Sequence, residues 1–203
     1  MRSLSEIETT SKRASKAAGF AWGISEEIGK GVRLLELFNL KGIKSLNEFL
    51  KKKSKEKFEH LGLISPNNRS KKYPYCPISL GVSFLDQIRT LETFKHCSFK
   101  NIAYPILFLP FLSRASEVIG KKIIFNFDKN QFLLNFNTSI SSNFTQEQCP
   151  LIAKDVEINF LDNKDNFSEL EWINLYKLSE ETFVEETDSL KQGAAGAGLT
   201  DND

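Results

Sequence analysis

The chain has 203 residues, 40% of them hydrophobic, and 27 Lys and Arg against 26 Asp and Glu leave a net charge of +1. That length suits one domain with a core of its own, and the near-neutral charge argues against a dedicated nucleic-acid binder. Three cysteines without a close pair argue against a disulfide framework, two histidines leave little for a zinc site, and the polar start and short apolar runs predict a soluble, cytoplasmic protein.

Leu4, Ile7, Ser11, Ala14 and Ala18 recur at spacings of three and four, which predicts a helix over 4–18. Gly19 ends it. Trp22 and Gly23 fall in the connection. Ile24, Ile28, Val32 and Leu35 then resume the period, so a second helix is expected over 25–39, with Ser25 as its N-cap and Glu26 and Glu27 in its first turn. The two helices make a hairpin. Gly29 and Gly31 lie inside the second, at a cost of about 1 kcal/mol each relative to Ala. A helix keeps such residues where something approaches its backbone. The candidates are the partner helix, through Ala14, Ala17 and Ala18, or a ligand framed by Glu26, Glu27, Lys30 and Arg33. The Glu26–Lys30 spacing also suits an ordinary surface ion pair.

Ile43, Leu46, Phe49 and Leu50 predict a short third helix. The run from Lys51 to Lys57 reads as exposed, within a basic, mobile insert over 44–72. A single-strand binder would interleave aromatic residues there, and Phe58 alone adjoins the run. Ser65 to Ser70 reads as a loop. Tyr73-Pro-Tyr-Cys-Pro77 is extended, and Leu80, Phe84, Leu85, Ile88 and Leu91 predict a helix over 79–94. Cys76 precedes its N-terminus, where a thiol pKa can fall; without a base at hand, a structural cysteine is expected. Asp86 is expected to pair with Arg89 or Lys95.

Ala103 to Ile119 reads as a buried central helix ended by Gly120, with Pro105 in its first turn and Pro110 either kinking it or opening a second helix. Alternation over 121–127 and 131–136, around Asp128-Lys-Asn130, predicts a β-hairpin. Residues 155–160 add a third strand, and Thr138 to Gln148 reads as a polar loop. Ser168 opens a last helix that runs to about Thr182. The fold class expected is α+β: a helix-rich single domain over 1–190, with a small antiparallel sheet of about three strands and a Gly/Ala-rich C-terminal tail, 191–203. Seventeen Phe must supply much of its core.

Leu4-Ser-Glu-Ile-Glu, Lys16-Ala-Ala-Gly and Trp22-Gly-Ile-Ser-Glu-Glu-Ile-Gly-Lys resemble a bacterial family of about this length, a domain of unknown function. Cys76-Pro-Ile-Ser-Leu-Gly-Val-Ser-Phe-Leu-Asp, Pro105-Ile-Leu-Phe-Leu-Pro-Phe-Leu and the terminal Gly196-Ala-Gly-Leu-Thr-Asp-Asn-Asp extend the likeness. It weakens over 44–72 and 120–167. The resemblance implies one unit from start to end, and no reaction.

The hairpin and tail together hold seven of the eleven glycines. Small residues let a chain approach another backbone closely, so the tail is expected to meet the hairpin. Glu26, Glu27, Lys30 and Asp201 are the candidate catalytic groups. Trp22, Gly29, Arg33, Gly196, Gly198, Thr200, Asn202 and Asp203 are the candidate ligand contacts. Carboxylates whose environments differ can divide into acid and base, which points to a small-molecule enzyme or a subunit of one. The cofactor is unassigned and no metal-ligand set is assigned, although clustered carboxylates can hold a hard cation. The alternative is a non-enzymatic partner protein that completes another subunit or pairs two copies. Nucleic-acid binding through Lys51 to Lys57 is the weakest reading.

Overall fold

A computed structural model describes residues 2–144 and 150–183. They fall into two compact units, Met1–Asn163 and Lys164–Asp203. The terminal segment 191–203, with every tail residue named above, lies outside the described residues.

The first unit opens with helix α1 (Leu4–Ala17), capped by the Ser3 hydroxyl on the Glu6 amide. It closes through Gly19, whose φ of +94° lets the Phe20 amide reach back to the Ser15 carbonyl and the Gly19 amide to that of Lys16. That closure leaves Ala21 extended, and α2 (Trp22–Leu37) starts at once. Trp22 and Gly23 are therefore helical, and Ser25 is no cap. Its amide already donates to the Ala21 carbonyl, and its hydroxyl is buried with no hydrogen-bond partner among the described residues. α2 ends in the same manner as α1 on Asn39, at φ 57°, with the Leu40 amide bonded to the Leu35 carbonyl at 2.8 Å.

Helix α3 (Gly42–Lys53) ends in Lys51, Lys52 and Lys53. Leu46 and Phe49 are buried in the core, and Lys53 donates to the Ala18 carbonyl. The expected insert 44–72 is thus woven into the unit, and it ends in strand β1 (Asn67–Arg69).

Helix α4 (Pro77–Asp86) carries Pro at its first position, where a missing N–H costs nothing. The helix expected over 79–94 is broken at Gln87. The Gln87 side chain donates to the Ser83 and Gly62 carbonyls and accepts from the Ile64 amide, so the break is satisfied by one residue. A short turn, α5 (Ile88–Leu91), follows. Residues 96–103 then form β2 (His96–Ala103), and the expected helix 103–119 reduces to α6 (Leu109–Ile119), which starts next to Pro110 and stops at Gly120.

The remaining strands are β3 (Lys122–Phe127), β4 (Asn130–Asn135), β5 (Ser139–Ser142) and β6 (Ile152–Leu161). The α+β class holds, but among the described residues the sheet has six strands rather than about three, in the order β1-β2-β6-β3-β4-β5. It is mixed rather than purely antiparallel, because β1 pairs parallel to β2. The third expected strand, β6, lies mid-sheet and pairs with both β2 and β3.

Phe99, Phe125, Phe127 and Phe132 point to the buried face of the sheet. Phe108, at the start of α6, meets Phe84, Phe99 and Phe125 edge-on at 5.6, 6.2 and 5.9 Å. Such pairs add about 0.5–1.5 kcal/mol each beyond area burial. α6 therefore lies between the sheet and α2, and α2 carries α1 and α3 on its other flanks. Cys76 and Cys97 are buried and unpaired.

In the second unit the described chain forms α7 (Glu169–Glu180), opened by a reciprocal cap between Ser168 and Glu171. Among the described residues no helix is long and apolar enough to cross a membrane.

Candidate functional site

The residues of α2 divide into three stripes at helical spacing. Ser25, Ile28, Val32 and Leu35 face inward and are buried. Trp22, Glu26, Gly29 and Arg33 face α1. The Trp22 ring lies under the Lys16 ammonium at 5.3 Å, Glu26 pairs with Lys12 at 3.1 Å, and Arg33 pairs with Glu8 at 3.0 Å. The Lys12 hydrogen bond, helped by the charges of Lys12 and Lys30, holds the Glu26 carboxyl below the usual carboxylate range.

Gly29 is occupied by the neighbouring helix. A Cβ there would lie 2.7 Å from the Glu8 carbonyl oxygen and 3.2 Å from Lys12 Cβ. The close approach expected at the hairpin is real. Its partners are Glu8 and Lys12, one helical face away from Ala14, Ala17 and Ala18.

The third stripe is Glu27, Lys30, Gly31 and Leu34, which faces α6. Gly31 brings the two helices together: a Cβ there would meet Pro110 at 3.1 Å. Beside this contact the surface opens into a depression of about 430 Å³. Its rim carries Lys30, Arg33 and Arg114 as cations and Glu27 and Glu117 as carboxylates, with Asn137 at one side. Leu34, Leu37, Leu85 and Phe111 line it with apolar surface. Glu27 bridges the rim, pairing with Lys30 at 3.2 Å and with Arg114 of α6.

Asn137 is held there by strained backbone. Phe136 and Asn137 both adopt positive φ, 50° and 59°, in the turn between β4 and β5. The Phe136 amide donates to the Ser116 hydroxyl at 3.0 Å, and that hydroxyl donates to the Lys121 carbonyl at 2.6 Å. A bulky residue in the left-handed region costs of order 1–3 kcal/mol and persists where its surroundings enforce it. Here a fully buried serine of α6 does so.

Of the sequence-predicted residues, the depression gathers Glu27, Lys30 and Arg33. Trp22, Glu26 and Gly29 belong to the α1 side. Asp201, Gly196, Gly198, Thr200, Asn202 and Asp203 lie outside the described residues. Arg114, Glu117 and Asn137 join the site without having been expected from the sequence. Arg114 and Glu117 sit three apart on α6, a spacing that puts them on one face, and that pattern is the signal by which they could be found.

A second groove of about 350 Å³, between α1 and α3, is lined by Ile7, Ala14, Ile43 and Leu46 and has a charged pair, Arg2 and Glu6, at its edge. Among the described residues no group of three or more His, Cys, Asp or Glu is placed to hold a metal ion.

No curated protein and no solved structure matches the chain. One wall of the depression, α2, lies within residues 2–75, which match the model of a family described as a protein of unknown function (DUF3726), and the other wall, α6, lies beyond that segment.

Proposed function

We propose that the protein is a cytoplasmic small-molecule enzyme, or a subunit of one, whose ligand sits in the depression between α2 and α6. The observation that carries this reading is the rim itself. Five charged side chains from two helices converge over an apolar floor, the combination by which small-molecule sites fix orientation while burying area. Glu27, Lys30 and Glu117 are the groups at hand for proton transfer, and Arg33, Arg114 and Asn137 are the groups at hand to orient a substrate.

The test is a thermal-shift screen of metabolites and divalent cations on the full chain and on a Leu37→Trp variant. Leu37 is exposed on the wall of the depression, so tryptophan there fills the mouth without touching the core. A compound that raises the melting temperature of the full chain and not of the variant supports the reading. Equal shifts in both place the ligand elsewhere, and silence across the panel counts against it.

One observation favours the partner-protein reading. Within its own unit α7 buries none of its residues, although Leu170, Trp172, Ile173, Leu175, Tyr176 and Leu178 are distributed around all of its sides. Exposed apolar side chains in that number suit a surface that packs against something. The solution mass of the full chain, alone and with candidate partners, separates the two.

A further inference from the structure

We infer that the ligand of the α2–α6 depression is a monovalent organic carboxylate with an apolar body. This rests on the ligand-binding reading of the same depression and adds the chemical class. Three observations carry it.

The first is the set of cations at the rim: Lys30 and Arg114 line the space from facing helices, while Arg33, also at the rim, is already paired with Glu8 of α1. The second is the place of Glu27. Its carboxylate already lies between the Lys30 ammonium and the Arg114 guanidinium, joining two helices. The gap between those cations therefore accepts a carboxylate, and a guanidinium offers it a planar fork of donors. The Glu27 side chain keeps contact with solvent and can exchange one partner for water, so an incoming carboxylate can take Arg114 while Glu27 keeps Lys30. The third is the floor: Leu34, Leu37, Leu85 and Phe111 line the same space as the arginine and suit a hydrocarbon or aromatic body. A dianion such as a phosphate monoester is disfavoured, because Glu27 and Glu117 flank the same space and like charges repel across it.

The experiment uses three probes with one six-carbon body, hexanoate, hexylamine and hexanol, titrated into the full chain and followed by amide chemical shifts. Hexanoate is expected to move the amides of Lys30, Leu34, Phe111 and Arg114, with hexylamine and hexanol leaving them unmoved at the same concentration. Arg114→Gln is expected to weaken hexanoate roughly tenfold or more, the loss of a charge-assisted pair. Glu27→Gln is expected to tighten it, by removing the competing carboxylate. Both variants sit at the surface, and unchanged melting confirms that they are folded.

Hexylamine or hexanol binding at these amides as well as hexanoate does would overturn the carboxylate assignment while leaving the ligand site standing. Hexanoate binding that is indifferent to Arg114→Gln, or that maps elsewhere, overturns it too. No shift at the depression with any of the three probes counts against both the class and the site.

Discussion

Replacing Gly81 with alanine tests the packing that forms the floor of the depression. Gly81 is buried on α4 and faces Phe111 of α6. An added Cβ would lie 2.3, 2.4 and 2.9 Å from three carbons of the Phe111 ring. Alanine gains about 1 kcal/mol in helix propensity over glycine. Against this, three ring carbons must move by the better part of an ångström, and Cγ is the near end of the side chain, so the ring cannot simply swing its tip away. Overpacking of this kind costs about 1–3 kcal/mol, and with three simultaneous overlaps the upper end applies. The net is a loss of about 2 kcal/mol, or roughly 4–8 °C in Tm for a chain of this size. The assay is urea and thermal unfolding of the full chain, with Gly23→Ala beside it. Gly23 is also helical, and a Cβ added there would have nothing within 4 Å, so that variant should match or slightly exceed the wild type. A Gly81→Ala protein as stable as Gly23→Ala would refute the close α4–α6 contact and the floor built on it.

Ser116→Ala removes the acceptor of the strained Phe136 amide and the donor to the Lys121 carbonyl; a loss of about 1–3 kcal/mol is expected in urea unfolding, with changed amide shifts at Asn137. The Glu59 carboxylate accepts from the backbone amides of Tyr73, Lys71 and Lys72, which hold its pKa below the usual value of 4.5. Because the folded pKa is the lower one, its stabilisation is complete above the unfolded value and is lost as pH falls through the folded value. The stability advantage of wild type over Glu59→Gln should therefore be greatest near neutrality and shrink on acidification below about pH 4.5, as read from urea midpoints across about pH 3–7. Burial pushes the Cys97 thiol up to about 11, so iodoacetamide at about pH 8 should leave the Cys97 peptide unmodified in the native chain and label it after unfolding, as read by mass spectrometry.

Helical period marks α1, α2 and α3 in the sequence, because each buries one stripe, and the Ser168 cap with Glu169 and Glu171 in the first turn marks the last helix. The start of α2 is masked because Ser25-Glu-Glu imitates a cap. Gly19 uses its positive φ to close α1, and the next helix then begins without a capping side chain at all. β2 is not among the expected strands, although Cys97 and Phe99 alternate with Ser98 and Lys100, because the apolar residues either side draw the expected helices toward it. β1 and β5 are not legible, since Asn67-Asn-Arg and Ser139-Ile-Ser-Ser bury almost nothing and are strands by pairing alone. Of the site, the charges of α2 near Gly31 are readable as a group. Their division between two faces follows from the step of about 100° between successive helical residues, here Glu26 and Glu27. Arg114 joins Glu27 across 87 residues, a proximity that no local pattern records.

The place of β6 bears on how this chain folds. It is the last of the described strands in sequence, yet it stands between β2 and β3, so a nascent chain that has not reached residue 161 holds two bare strand edges facing each other. Neither edge is blunted by proline, and open edges of this kind invite pairing with other chains. The segment 2–75 is no refuge, because β1 has β2 as its neighbour and Tyr75 bonds to the backbone at Asn101 and Ala103. Folding of the first unit is therefore expected to close late, on the non-local pairing of β6 with β2 and β3. Truncation short of residue 161 should yield aggregate rather than a smaller domain.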